Sequence, residues 1–533
     1  MKNMRAIGML SLALFAIALQ AAFLSGCSKG QNLTPQNAEF ACNLESLPQL
    51  PDVTITSVTQ ETESVPHCKV AGVIGPEIHF ELLLPEEWNG KFVMGGGGGF
   101  VGSVVNISLL YGSLQRGYAT VGTDTGHQAH SLDASWALNN LERIVNFGHQ
   151  AVHRTAVTAQ ALTSAYYGRA ASRNYFIGCS RGGGQALMEA QRYPEDFDGI
   201  VAGAPAYNWT HELGARNAWV NQAMYPNPDD LSVAVIGPEK TQLIGKAVME
   251  QCDSLDGLED GILNNPLQCN FDVSSLACDT DKTDACLTEK EVAAAKRIYE
   301  DLHDKEGFIF HGMPPGGELS PLGWTLWLTG GLDHQVDVAN FQEGARTASD
   351  FPAPVTPSAH FAFGNGVMKF LVYHDPDWNY ANYTFETFRS DVATVAPTLN
   401  ATNPDLTAFR KRGGKLLMWT GWGDMALSPL GTIDYFEKVL KHDASASKDV
   451  RLIMMPGVDH CAGGVGPSWV NYLDEIDKWV ETGDAPEQMT AYWLNDQMQP
   501  DGSRLACAYP KYVKYDGNGD PRDVSSFSCV GPD

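Results

Sequence analysis

Ser180 stands in Gly178-Cys179-Ser180-Arg181-Gly182, a Gly-x-Ser-x-Gly pentapeptide. The residues before it, Asn174 to Gly178, read as a strand, and those after it, Gly184 to Arg192, read as a helix. A serine on a sharp glycine turn between strand and helix is the setting of a nucleophile elbow. The glycines permit a strained backbone and close helix–strand approach, and the helix N-terminus favours the negative charge that develops in acyl transfer. Such a serine needs a base and an orienting acid, in the chain order Ser, acid, His. Lys415 to Thr420 reads as a strand whose loop, Gly421 to Asp424, presents the acid. Arg451 to Pro456 reads as the next strand, and its loop, Gly457 to His460, presents the histidine. Both lie beyond strand C-termini, where open α/β sheets place ligands. The rival acid is Asp459, whose adjacency to His460 makes reaching Nδ1 awkward. For the oxyanion, the strand Lys91 to Met94 runs into Gly95 through Gly99. That run brings backbone N–H groups to a substrate, so the hole is read as the N–H of Arg181 and that of Gly99.

The cysteines carry a second message. Lys2 and Arg5 precede an apolar stretch from Ala6 to Leu24, and Leu24-Ser25-Gly26-Cys27 follows the pattern of a lipobox. Residues 1–26 are therefore expected to be a signal peptide, with Cys27 lipidated and residues 27–41 a tether. Ser28 after that cysteine points to the outer membrane of a Gram-negative cell. The chain has 11 cysteines, so setting Cys27 aside leaves an even set in an oxidising compartment, and five disulfides are the expectation. Spacing pairs Cys42 with Cys68, Cys252 with Cys269, Cys278 with Cys286 and Cys507 with Cys529. Cys179 and Cys461 are left over, and they flank Ser180 and His460. A bridge between them fits a histidine that reaches the serine, because it needs Cα atoms roughly 5.5 Å apart.

The elements that must position these residues alternate. Ile78 to Leu84, Lys91 to Met94, Tyr118 to Gly122, Asn174 to Gly178 and Gly199 to Ala204 read as strands, with a helix from about residue 144 to 167 among them. This is an α/β fold on a largely parallel sheet. The texture changes between residues 207 and 404, where Trp, Pro and Gly are frequent and Thr288 with Glu291 has capping-box spacing. That stretch is read as an insertion, with residues 42–206 and 405–533 forming the core. The chain has 533 residues, 44% hydrophobic, and a net charge of −27. It has ample material for a core, and its acidity argues against nucleic-acid partners. Within the insertion, Asp253, Asp256 and Asp260 alternate with Gly257 and Gly261. Three carboxylates on tight turns suit a hard cation, read as structural Ca²⁺; the register is not that of an EF-hand.

These segments together resemble the tannase/feruloyl esterase family over nearly all of the chain beyond the tether. The resemblance rests on Cys179-Ser180, Asp424 and His460-Cys461, on Phe176 to Ser180 and Gly199 to Pro205, and on Cys252 to Ile262. It implies an α/β-hydrolase core, a lid domain holding Ca²⁺ and no organic cofactor, and small esters of aromatic acids as substrates. It adds the carbonyls of Leu258 and Ile262 to the Ca²⁺ ligands and matches Trp327 to a pocket-lining lid tryptophan. Arg181 and Gly184 depart from the family pattern, and Arg346 lies outside any matching motif. A serine esterase acting as a lipid-anchored monomer is the resulting expectation. The rivals are a serine peptidase on the same fold and a non-catalytic surface lipoprotein that binds aromatic or glycan ligands.

Overall fold

The computed structural model describes residues 41–279, 284–320, 322–330 and 356–532. The signal peptide, Cys27, all but the last residue of the tether, and Arg346 lie outside the described residues. The β-rich runs become β1 (Val53–Glu61), β2 (His67–Ile74), β3 (Ile78–Pro85), β4 (Lys91–Gly95), β5 (Ala119–Thr123), β6 (Arg173–Cys179) and β7 (Gly199–Gly203). A short hairpin, β8 (Leu302–Asp304) with β9 (Gly307–Phe310), stands apart from them. β10 (Lys415–Gly421), β11 (Val450–Met455), β12 (Gln488–Leu494) and β13 (Pro500–Ala508) complete an 11-stranded sheet ordered β1-β2-β3-β5-β4-β6-β7-β10-β11-β13-β12. β14 (Tyr512–Tyr515) and β15 (Phe527–Val530) form a second hairpin.

The expectation of a largely parallel sheet holds for its centre, from β5 through β11. Both margins are antiparallel. The cause at one margin is the length of the connections. Residues 62–66 and 75–77 are too few to cross over a sheet, so β1, β2 and β3 must fold back as hairpins. Burial follows the same division. Every residue of β5 and β7 is buried, as befits strands covered on both faces. β2 instead alternates between buried and half-buried positions.

Alternate side chains of the central strands feed two cores. Phe92, Met94, Phe176, Leu416 and Met418 pack on one face, toward the helices Ala151–Tyr167 and Arg181–Arg192. Val93, Tyr175, Ile177, Leu417 and Trp419 pack on the other, against Leu473, Ile476 and Trp479 of the helix Tyr472–Thr482. The helix expected from residue 144 is preceded by Leu141–Val145 and a π-helical turn, Asn146–Gln150. β7 and β10 are neighbours in the sheet although residues 204–414 run between them. That intervening chain opens its helix Glu289–Tyr299 with the expected capping box from Thr288 and Glu291.

All five expected disulfides are present: Cys42–Cys68, Cys179–Cys461, Cys252–Cys269, Cys278–Cys286 and Cys507–Cys529. The long-range bridge joins the end of β6 to the loop after β11, with Cα atoms 5.9 Å apart and a sequence separation of 282. Closing so long a loop removes about 5–6 kcal/mol of denatured-state freedom in the chain-entropy model. Among the described residues, no helix is long and apolar enough to cross a membrane.

Candidate active site

Ser180 caps the helix Arg181–Arg192 with φ 61° and ψ −123°, a conformation costly for any residue with a Cβ. Backbone bonds hold it there. Its N–H donates to the Gly203 carbonyl at 3.0 Å, and its carbonyl accepts from Ala206 at 2.9 Å and Gly184 at 3.1 Å. The turn is closed so tightly that a Cβ on Gly178 would sit 2.3 Å from the Gly182 carbonyl oxygen. At Gly184, one of the departures noted in the sequence, a Cβ would lie 2.1 Å from the Ala206 carbonyl oxygen. Here the helix Arg181–Arg192 lies directly against the loop leaving β7.

His460 and Asp424 meet across two neighbouring strand ends. The His460 Nδ1 lies 2.8 Å from Asp424 Oδ2. The other carboxylate oxygen of Asp424 accepts the N–H groups of Ala426 at 2.9 Å and Leu427 at 3.0 Å. Asp424 is fully buried, so its charge is held by these three donors and not by water. With Nδ1 engaged, Nε2 is the ring nitrogen left for the pocket. The rival acid is occupied elsewhere. Asp459 accepts a hydrogen bond from Ser320 Oγ, and burial, reinforced by the Asp424 charge, pushes its pKa up to about 7. One layer further back, buried His360 lies with its Nε2 3.0 Å from the Ala426 carbonyl. Burial lowers its pKa to about 3, so the neutral ring donates there and steadies the residue whose N–H holds Asp424.

Ser180 and His460 line one narrow pocket, together with Gly99 and Arg181. The early glycines of the run are already committed, Gly96 N–H to the Ile177 carbonyl and Gly97 N–H to Gln185 Oε1. Gly99, at φ 55°, donates its N–H to none of the described residues. Arg181 is the first residue of its helix, where a backbone N–H has no intrahelical acceptor. Its side chain is engaged elsewhere. The guanidinium lies 4.2 Å from the Phe147 ring and 5.2 Å from the Trp209 ring, and donates to the Phe147 and Gly148 carbonyls. Burial lowers its pKa to about 9.

The remaining pocket wall is apolar and aromatic. Trp327 stands edge-on to His460, with ring centroids 5.1 Å apart and planes at 80°. It also lies nearly parallel to Phe363 at 6.4 Å. Trp209, Leu213, Phe363 and Leu427 complete this wall. Sequence reasoning found Trp327 but not these four. Leu427 alone had a usable signal, since it lies three residues beyond Asp424.

The acidic loop is far more negative than its partners can offset. Asp253 Oδ1 and Oδ2 both lie 3.0 Å from the Gly261 N–H, and Asp256 accepts from Leu258 and Asn264, each at 3.1 Å. Asp260 accepts from the Ile262 N–H and pairs with Arg504. Burial, with the Asp260 charge, raises the pKa of Asp256 to about 6, and the same two causes raise that of Asp253. The Leu258 and Ile262 carbonyls accept no hydrogen bond from the described residues. Surplus carboxylate charge and free carbonyl oxygens fit a hard cation.

A strained serine at a strand–helix turn, sharing a pocket with a histidine–carboxylate pair at the strand ends of a mixed sheet, belongs to an α/β hydrolase. The family model for tannase and feruloyl esterase matches residues 62–530, and the chain belongs to that family. It is 32% identical over 518 residues to mono(2-hydroxyethyl) terephthalate hydrolase of Piscinibacter sakaiensis, covering 87% of this chain and 85% of that one. It is 29% identical over 560 residues to feruloyl esterase B of Aspergillus niger, covering 99% and 100%. The crystal structure of feruloyl esterase B from Aspergillus oryzae matches with a TM-score of 0.80 at 25% identity, covering 93% of this chain and 100% of that one. The protein is a carboxylic ester hydrolase.

Proposed function

We propose that the protein hydrolyses esters of aromatic carboxylic acids, of feruloyl, galloyl or terephthalate-monoester type, through a Ser180-His460-Asp424 triad. The observation that carries this reading is the single pocket shared by Ser180, His460 and the Trp327–Phe363 aromatic wall. Ser180 Oγ attacks the ester carbonyl as His460 Nε2 takes its proton. The carbonyl oxygen becomes an oxyanion beside the Gly99 and Arg181 N–H groups. Collapse breaks the C–O bond, and imidazolium hands the proton to the departing alcohol. Water, deprotonated by the same nitrogen, then releases the acid and restores Ser180. Asp424 holds Nδ1–H throughout and stabilises the imidazolium. The ring of the acyl group lies against Trp327 and Phe363, where apolar burial and aromatic contact reward it. Residues 207–404, which supply both side chains, serve as the lid.

A hydrolysis panel tests this reading. With a common methyl alcohol, ferulate, gallate and terephthalate monoesters are compared with butyrate and with a peptide amide. At least one aryl ester should exceed butyrate in kcat/KM by roughly 10-fold or more, and Trp327→Ala should erase that margin. Preference for butyrate or for the amide would reject the reading.

The acidic loop is proposed to hold Ca²⁺ through Asp253, Asp256 and Asp260 and the Leu258 and Ile262 carbonyls. The ion would neutralise the loop and takes no part in acyl transfer. At 100 times its Kd, Ca²⁺ added to chelator-treated protein should stabilise it by about 2.7 kcal/mol. Asp253→Ala should lose that gain in thermal melts; an equal gain in the variant would remove the ion from this loop. Export and anchoring at Cys27 are proposed from residues 1–27, and five disulfides support a life in an oxidising compartment.

A further inference from the structure

The helix that begins at Ser180 ends on a buried problem. Glu189 is fully buried, and among the described residues no conventional donor reaches either of its carboxylate oxygens; the group placed to share a hydrogen bond with it is the Asp196 carboxyl. An ionised carboxylate in that condition is strongly disfavoured. What faces it is another acceptor. Asp196, on the loop before β7, and His153, on the helix Ala151–Tyr167, each bring a ligand atom within 4.8 Å of Glu189 and of one another.

The neighbouring donors are spent. His153 Nδ1 lies 2.6 Å from Asp196 Oδ2, and its ring stacks on Tyr193 at 3.9 Å. The Tyr193 hydroxyl is engaged by His149 and Gln150, and Gln160 donates to the Asp196 backbone carbonyl. Arg192 turns to Met188 Sδ and the Pro397 carbonyl, and Arg181 to Phe147 and Gly148. Two carboxyl groups this close stay together only with a proton or a cation between them.

We propose that His153, Glu189 and Asp196 form a binding site for a first-row transition ion of the Zn²⁺ class. One imidazole and two carboxylates match Zn²⁺ ligand chemistry and are unlike the all-oxygen set that suits Ca²⁺. A divalent ion balances two carboxylates and removes the uncompensated charge. Access from solvent exists, because the His153 side chain is 30% exposed. None of the three residues lines the pocket of Ser180. The ion would tie the helix Ala151–Tyr167 to the nucleophile helix and to the loop entering β7. It is a clamp on the scaffold and takes no part in hydrolysis.

The test uses chelator-treated full protein with Ca²⁺ present throughout and ZnCl₂ as the probe. Equilibrium dialysis with elemental analysis should find one tight Zn²⁺ per chain. Anomalous scattering at the zinc edge should place it between His153 and Glu189. Glu189→Gln keeps the shape and removes the buried charge, and it should weaken Zn²⁺ binding at least ~10-fold, as should His153→Ala at the partly exposed position. Circular dichroism identifies any variant that fails to fold, and the other then decides. No stoichiometric Zn²⁺ in the wild type, anomalous density elsewhere, or wild-type affinity in a folded variant would each overturn the site and leave Glu189 and Asp196 sharing a proton.

Discussion

Ser180→Ala should lower kcat by about 10⁶-fold, the loss found when a triad nucleophile is removed, and should leave the fold intact. The size follows from what the residue does in the proposed mechanism. Without Oγ there is no acyl-enzyme, and only the oxyanion donors and binding remain. The fold survives because the Ser180 side chain makes no capping hydrogen bond to its helix. The turn is held by backbone bonds to Gly203, Ala206 and Gly184, which alanine retains. Single-turnover kinetics, a fluorophosphonate label and a thermal melt measure all three consequences. Turnover above about 1% of wild type, or a label that persists, would assign the nucleophile to another residue.

Asp424→Asn should lower kcat by about 10⁴-fold with little change in KM. The wild-type carboxylate accepts three hydrogen bonds, one from His460 Nδ1–H and two from the Ala426 and Leu427 N–H groups. An amide has one acceptor oxygen where the carboxylate has two. If that oxygen stays on the two backbone donors, the amide NH₂ faces Nδ1 and forces the proton to Nε2. His460 is then in the tautomer that cannot accept the Ser180 proton. Turning the amide over instead sets NH₂ against two backbone N–H groups in a fully buried site, where unpaired donors are costly. Asp459 offers no rescue, because Ser320 holds it and burial keeps its carboxyl largely protonated below neutral pH. A variant retaining more than a tenth of wild-type kcat would show that another group orients the ring.

Several parts of the site were legible in the chain because they are written locally. A strand pattern, a glycine turn and a helix start fall within Asn174 to Arg192, so the elbow needed no tertiary information. The disulfides followed from cysteine number and spacing once eight of the cysteines were matched into four local pairs. The antiparallel margins were equally implicit in connections of a few residues, although the central pattern masked them. The near-continuous apolar runs of β4, β6 and β10 suit strands covered on both faces, but do not say by what.

Other features depend on contacts that no local rule encodes. Asp424 and Asp459 both follow strands and both are near His460. Adjacency to His460 already counted against Asp459, but the packing of Ser320 against Asp459 and of two backbone amides against Asp424 is a tertiary matter. The pocket wall draws Trp209, Trp327 and Phe363 from three separate segments, and in a chain with 10% aromatics no periodicity marks which ones converge. Glu189 reads as an ordinary polar position on a helix, yet it is sealed beside Asp196 and His153. Hydrophobic pattern and turn chemistry act over a few residues, so the amino-acid sequence by itself determined the Ser180 turn, the loop that carries His460 and the covalent staples. Burial and pairing arise from long-range packing, so only the tertiary structure decided how Asp424 and Asp459 are each engaged, which rings join Trp327 in the pocket wall and where charge is trapped.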